Sequence, residues 1–433
     1  MDYLQKILNK FRSYPRPAFL RLSLKLRSPQ LTALALKLLC GQINDSGRFT
    51  VLCLGRSIFL DDVKALAALG QNLQYVVIHI RHFKTIFGHL VKKSETEGLT
   101  ESNYHSHSLS EKGRNRYYAY LKKVLPFLQK LIGFDAVLSG NVGYIVQQEI
   151  AKVCEAERVP FIVLHKEGMD AFGYVHTYDG QKFIGARMLF GNQKMRDSLL
   201  AMKMPGLTED KARVVGMPRF DFYHSQNDHS PKKQVVFFSF FPQDRLIASI
   251  SEGKNLQQAK EAYANFHKLV MEFALRHPEI KVTIKTKAAA YFVQYVKDIL
   301  QASFPEGIPN LFITNSINPF ELIRNSDAVV SFNSTTLIEG LLGGKIIISP
   351  DFRDLISDTS WNFFASYPDL IHYVKNESEL EDRLLHPRKY SEYDPSRKQA
   401  FLKEVIFLPD GKASLRTELE ILGAIKEYQT KIS

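Results

Sequence analysis

Between Asn325 and Ser349 the chain reads Asn-Ser-Asp-Ala-Val-Val-Ser-Phe-Asn-Ser-Thr-Thr-Leu-Ile-Glu-Gly-Leu-Leu-Gly-Gly-Lys-Ile-Ile-Ile-Ser: an apolar strand, a polar turn, a helix, a glycine stop and a second apolar strand. Strands joined through a helix lie parallel, because the crossover returns the second strand in the direction of the first. Asn333, Ser334, Thr335 and Thr336 fall at the handover from strand to helix. In an open parallel sheet that handover sits at the carboxyl ends of the strands, where ligands bind, and the unpaired N–H groups of the first helical turn attract anions. The turn is therefore a candidate pocket for a phosphate-bearing ligand. Glu339, one helical turn further in, is placed either to accept ribose hydroxyls or to cap the Ser/Thr at the helix start.

The same alternation runs through most of the chain and predicts an α/β protein. In the first half, strands are expected at Phe49–Leu54, Tyr75–Ile80, Ala136–Ser139 and Pro160–Leu164, with helices at Asp61–Leu69, Asn115–Leu131 and Tyr144–Glu157. Residues 92–114 are polar and lack periodicity, so they read as a long loop. The second half predicts strands at Val235–Phe240, Lys281–Lys285, Leu311–Thr314, Ala328–Phe332 and Ile346–Ile348, separated by helices. The turn-rich stretch from His224 to Gln234 marks a boundary. The expected organisation is a basic helical segment (1–45), a first Rossmann-like domain (46–228), a second (229–410) and a helix that crosses back to brace the first (411–433).

At 433 residues the chain exceeds what one core usually serves, and 45% hydrophobic with 24% charged residues is a globular composition. No run of about 18 apolar residues occurs and the first residues lack a secretory layout, which predicts a cytoplasmic protein. Cys40, Cys53 and Cys154 have no metal-ligand spacing and suit a reducing compartment, where they fill core. The net charge of +12 is uneven: residues 1–40 carry Lys6, Lys10, Arg12, Arg16, Arg21, Lys25, Arg27 and Lys37 against Asp2 alone. These bases interleave with leucines and phenylalanines, the make-up of a helix that lies on an anionic bilayer, or of an amphipathic pair that covers the first domain. No nucleic-acid module accompanies the charge, so nucleic acid is not an expected partner.

Three further clusters follow predicted strands. Gly216-Met-Pro-Arg-Phe-Asp221 places Arg219 to grip phosphate with a forked donor, and Asp221 to hold that guanidinium or cap the next segment. Lys285 and Lys287 put two cations beside a helix start, a plausible diphosphate site. His165-Lys-Glu-Gly-Met-Asp170 gathers a histidine, a lysine and two carboxylates after a buried strand, so that His165, Glu167 or Asp170 can serve as base or nucleophile. Gly340-Leu-Leu-Gly-Gly-Lys345 is a helix stop rather than a phosphate loop, because Ile346 stands where Ser or Thr is required. Gly55-Arg-Ser57 lacks a dinucleotide fingerprint, and no dedicated metal motif occurs.

The element at 216–221, the strand-end lysines, and the run from Ser326-Asp-Ala to Glu339 together resemble bacterial GT-B glycosyltransferases. The nearest group is that of the capsule and surface-carbohydrate transferases, including the retaining Kdo transferases and, more distantly, CDP-glycerol polymerising enzymes. The resemblance implies two Rossmann-like domains facing a cleft, with a nucleotide-sugar donor held by the second and a glycan or lipid-linked glycan acceptor by the first. It also implies metal-independent chemistry, with no cofactor beyond the nucleotide-sugar co-substrate. Lys166-Glu167-Gly168 stands where the Kdo transferases carry a Glu-Asp-Gly nucleophile element, which makes Glu167 the expected nucleophile or base and Asp170 its understudy. Rival readings are a CDP-polyol phosphotransferase, a nucleotide-sugar 2-epimerase and a non-catalytic scaffold of polysaccharide assembly.

Overall fold

The computed structural model describes residues 16–99, 108–141, 144–165, 181–224, 232–240, 256–352, 354–355 and 362–430. The chain forms two compact units, one built from residues up to Asp221 together with Glu404 onward, the other from Phe222 to Lys403.

The first unit carries a seven-stranded sheet of β1 (Gly41–Gln42), β2 (Phe49–Gly55), β3 (Leu73–His79), β4 (Ala136–Ser139), β5 (Phe161–Leu164), β6 (Arg187–Phe190) and β7 (Ala212–Val214). Their order is β1-β3-β2-β4-β5-β6-β7, and every pairing is parallel except that of β1 with β3. Both faces are covered, which is why these strands read as continuous apolar runs. Leu52, Leu54, Val76 and Ile78 point into one core. Val51, Cys53 and Tyr75 point into the other, against Phe59, Val63 and Leu66 of the helix Ser57–Leu69 and Ile421, Ala424 and Ile425 of the last helix, Ala413–Thr430. Cys53 and Cys154 are buried, and burial pushes both thiols up.

Two clasps hold that last helix. Glu418 accepts the backbone N–H groups of Gln71 and Asn72, each at 2.9 Å, and the Asn72 side-chain amide at 2.6 Å. The carboxylate lies so close to Gly70 that a Cβ there would stand 2.1 Å from Oε2, so only glycine fits the stop of Ser57–Leu69. Asp221 accepts from the N–H groups of Ala413 (3.0 Å) and Ser414 (2.6 Å), capping the helix at its positive end.

At the amino-terminal side, Arg16–Lys25 and Pro29–Leu39 form a helical pair. Leu20, Leu24, Ala33 and Leu36 are buried in it, and Ser23, Thr32 and Tyr120 form a hydroxyl chain at 3.0 and 2.7 Å. The long helix expected from Asn115 instead begins at Ser108 and runs to Ile132, and Lys93–Glu95 forms a 3-10 turn. Gly113 hides the helical period in the sequence. It is there for close packing, since a Cβ would meet Val91 Cγ1 at 2.7 Å. The helix Arg81–Leu90 and the short strand β6 were also not expected.

The second unit has six parallel strands, β8 (Gln234–Phe238), β9 (Lys281–Lys285), β10 (Leu311–Thr314), β11 (Ala328–Ser331), β12 (Ile346–Pro350) and β13 (His372–Val374), in the order β10-β9-β8-β11-β12-β13. This is the doubly wound arrangement, laid outward in one direction from β8 and then, after a crossover, in the other. Val235, Phe237, Val282, Ile284 and Val330 pack on Phe266, Val270 and Phe273 of the helix Leu256–Arg276.

Candidate functional site

In the second sheet the chain order reverses between β8 and β11. Loops leaving two strands at such a reversal diverge to opposite faces and leave a crevice beyond the carboxyl ends. Register fixes what stands there: Thr314, Lys285, Phe238 and Ser331 form one row across four neighbouring strands. Lys285 and the Asn333–Thr336 turn thus share one edge, two strands or about 10 Å apart.

The turn opens the helix Thr335–Leu342. Ser334 is its N-cap, with extended backbone, and its Oγ accepts the Thr336 N–H at 3.3 Å and the Thr336 hydroxyl at 3.0 Å. One first-turn amide is therefore already satisfied by the protein itself. Thr335 is the first helical residue, and Asn333 is exposed, its Oδ1 accepting from the Phe363 N–H at 3.4 Å. The helix lies tight on the sheet at Gly340, where a Cβ would meet Ile347 Cγ2 and Val329 Cγ2 at 2.9 Å. That contact fixes the height of the turn above β11. The helix stops at Gly343, and Gly344 adopts a φ of 67° before β12, as the sequence implied.

Glu339 is buried and accepts the Tyr223 hydroxyl at 2.8 Å. It thus reaches a side chain of the 3-10 turn Pro218–Tyr223, and not the Ser/Thr at the helix start. Tyr223 was not anticipated; the only signal was an aromatic pair, Phe222-Tyr223, ahead of a polar stretch.

Lys285 turns its ammonium to the carbonyls of Thr286 (2.8 Å) and Asn315 (3.1 Å), tying the ends of β9 and β10. Lys287 is exposed, with Nζ 5.2 Å from the Phe240 ring centroid and 5.8 Å from that of Phe292. Behind this edge is a buried pair that the sequence did not reveal. Ser239, just past β8, shares a 2.6 Å hydrogen bond with His267 Nε2, and His267 Nδ1 lies 2.6 Å from the Tyr263 carbonyl. A carbonyl only accepts, so Nδ1 carries the proton and Nε2 takes the Ser239 hydroxyl. Burial holds the imidazole down to about 4. One strand beyond the turn, a depression of about 240 Å³ is lined by Gln258, Ala262, Asp351, Phe352, Asp354 and Leu355.

The remaining candidates belong to the first unit. Arg219 does not present an open fork. It is buried, Nη1 donates to Asp62 Oδ2 at 2.8 Å, its backbone N–H reaches Asp62 Oδ1 at 3.2 Å, and its guanidinium carbon stands 4.9 Å from the Phe220 ring. Burial pushes the Asp62 carboxyl up against the opposing pull of Arg219. Asp221 holds the last helix rather than this guanidinium. The Gly216-Met-Pro-Arg-Phe-Asp221 element is therefore a structural clasp, and Gly216, with a φ of 88°, lets it pass Ala413. His165 is buried at the end of β5, its N–H bonded to the Leu189 carbonyl at 2.8 Å and its ring stacked on Phe190. Glu167 and Asp170 lie outside the described residues.

No protein-family model and no curated protein matches the sequence. Solved structures do. A candidate UDP-N-acetylglucosamine 2-epimerase from Listeria monocytogenes is 12% identical, with a TM-score of 0.52 over 88% of this chain and 98% of that one. MnaA from S. aureus, solved with UDP, is 13% identical with a TM-score of 0.50 over 88% and 97%. The wall teichoic acid polymerase TagF, solved after a soak with CDPG, is 12% identical with a TM-score of 0.50 over 97% and 98%. At these identities the likeness is one of fold. The chain has the two Rossmann-like parallel-sheet domains of GT-B-type proteins.

Proposed function

We propose that the protein is a glycosyltransferase that moves a sugar from a nucleotide-sugar donor to a growing bacterial surface glycan of the capsule or O-antigen type. The observation that carries this reading is the second sheet's reversal point, where the Asn333–Thr336 turn and Lys285 share one carboxyl edge above the buried Glu339–Tyr223 pair. The turn's free amides, Lys285 and Lys287 would stabilise the departing phosphate in place of a metal, and Glu339 would meet the ribose. The sequence resemblance adds Glu167 as nucleophile or base with Asp170 as its understudy, and the same six-residue cluster adds His165. Proteins of this fold solved with UDP or after a soak with CDPG support a nucleotide ligand.

The acceptor is taken to be lipid-linked, with the protein peripheral on the cytoplasmic face of an anionic membrane. The N-terminal helical pair supports this: Leu22 and Leu26 are 50% and 60% exposed beside Arg21, Lys25 and Arg27. No described helix is long and apolar enough to cross a membrane.

A second reading, nucleotide-sugar 2-epimerase, is favoured by the candidate UDP-N-acetylglucosamine 2-epimerase of the same fold, and a polyol-phosphate transferase by TagF, whose likeness spans nearly the whole chain. Incubation with CMP-, UDP-, GDP- and dTDP-sugars and CDP-glycerol, with and without a membrane-lipid acceptor fraction, separates them by product mass. Sugar transfer that requires acceptor is the expected result, and Glu167→Gln abolishes it while nucleotide binding persists. Conversion of UDP-N-acetylglucosamine without acceptor, transfer of a polyol phosphate, or no turnover of any donor contradicts the proposal.

A further inference from the structure

The first sheet also reverses its order, between β2 and β4, since β3 lies on one side of β2 and β4 through β7 on the other. What arrives at that crevice is cationic. Arg56 follows the last residue of β2, His79 ends β3, and Arg81, His82 and Lys84 come next on the helix Arg81–Leu90. From the opposite side of the reversal Tyr144, at the start of the helix Ile145–Ala156, brings up its ring, with Arg56 Cζ 4.9 Å and Lys84 Nζ 5.5 Å from the centroid. One aromatic ring therefore gathers a guanidinium from just after β2 and an ammonium from the element after β3.

Among the described residues no carboxylate pairs with these charges. The nearest in sequence are taken, Asp61 by Lys64 at 3.5 Å and Asp62 by Arg219 at 2.8 Å. Among the described residues Arg56, Arg81 and Lys84 form no ion pair, and Arg56 Nη1 is buried with no hydrogen-bond partner. Like charges held together without a counterion work against folding, so such a cluster implies an anion that is present when the protein is at work. Around it the helices Ser57–Leu69, Arg81–Leu90 and Ile145–Ala156 begin without a side-chain cap.

The histidines add neutral donors. Burial, with help from Arg81, Arg56 and Lys84, lowers His79; burial, then Arg81 and His79, hold His82 down to about 4. His79 Nδ1 accepts the Arg81 N–H at 3.0 Å, which leaves its proton on Nε2. A forked guanidinium, an ammonium and imidazole N–H groups together suit the several oxygens of a phosphate better than the two of a carboxylate.

We infer that this crevice of the first unit binds a phosphate ester on the acceptor, so that the substrate class is a phosphorylated or phosphodiester-linked glycan or glycolipid. The inference rests on the transferase reading for its role, but its anion site can be tested alone. Thermal unfolding is followed with inorganic phosphate and with glycerol phosphate, against chloride at matched ionic strength, and separately with the nucleotide panel. Wild type should be stabilised by both phosphates. Arg56→Gln/Lys84→Gln should be no less stable than wild type in chloride, should bind phosphate about tenfold more weakly or worse, and should keep its response to nucleotide. If the double variant does not fold, Lys84→Gln alone is read by the same criteria. A wild type indifferent to phosphate, or a variant that responds equally, overturns the site. A variant that loses the nucleotide response as well overturns the assignment to the acceptor. Phosphate binding that needs Arg56 and Lys84, in a wild type that no nucleotide stabilises, refutes the transferase reading and leaves the anion site standing.

Discussion

Arg219→Met is expected to destabilise the first unit by about 3–5 kcal/mol, because it leaves the buried Asp62 carboxylate without its partner. The pair ties the helix Ser57–Leu69 to the turn after β7, and the same turn carries Asp221, the cap of the last helix. Replacing both partners, as Asp62→Leu/Arg219→Met, removes the desolvated charge along with its counterion and should recover most of the loss. Urea unfolding of the four proteins of this cycle reads the effect. If Arg219 instead clamped a leaving phosphate, Arg219→Met would weaken nucleotide binding and leave the unfolding midpoint nearly unchanged.

Acidification should weaken the second unit through His267. Its imidazole is wholly buried, held by Ser239 and the Tyr263 carbonyl, and titrates near 4 in the folded protein against about 6.5 when unfolded. The folded value is depressed, so the unfolded chain takes up the proton first as pH falls. The stability that the neutral ring secures is complete above about 6.5 and is lost progressively down to about 4, a change on the order of 3 kcal/mol. His82 shifts in the same direction but belongs to the first unit, whereas His372 of the second unit is also lowered by burial and contributes in the same sense. His267→Gln should therefore reduce the pH dependence of unfolding between 4 and 6.5, leaving the part that His372 carries, although it lowers stability at pH 7. An unaltered pH slope in that variant would show that His267 does not carry the effect.

Much of the second sheet was legible because its strands are short apolar runs closed by unambiguous stops. Lys281–Lys285, Leu311–Thr314 and the helix Thr335–Leu342 have the bounds that periodicity and the glycines at 343 and 344 imply. The strand β6 was not legible, since four residues give too little pattern to separate a strand from a loop. The placement of one candidate cluster was legible. A polar turn between strand and helix declares its position through connectivity alone, which is why Asn333–Thr336 and Lys285 come to one edge. Arg219 misled for the opposite reason: forked donor and buried ion-pair partner look alike until Asp62, 157 positions away, is in place. Tyr223 on Glu339 and Ser239 on His267 are likewise long-range pairings that no local pattern announces.

The central claim is that nucleotide phosphate is held at the reversal point of the second sheet. Amide hydrogen exchange with and without a saturating nucleotide tests it residue by residue. New protection should concentrate on residues 331–340 and 285–288, with little change in β2 through β7. Protection confined to the first unit, with the Asn333–Thr336 turn exchanging at its free rate while nucleotide is bound, would contradict the account.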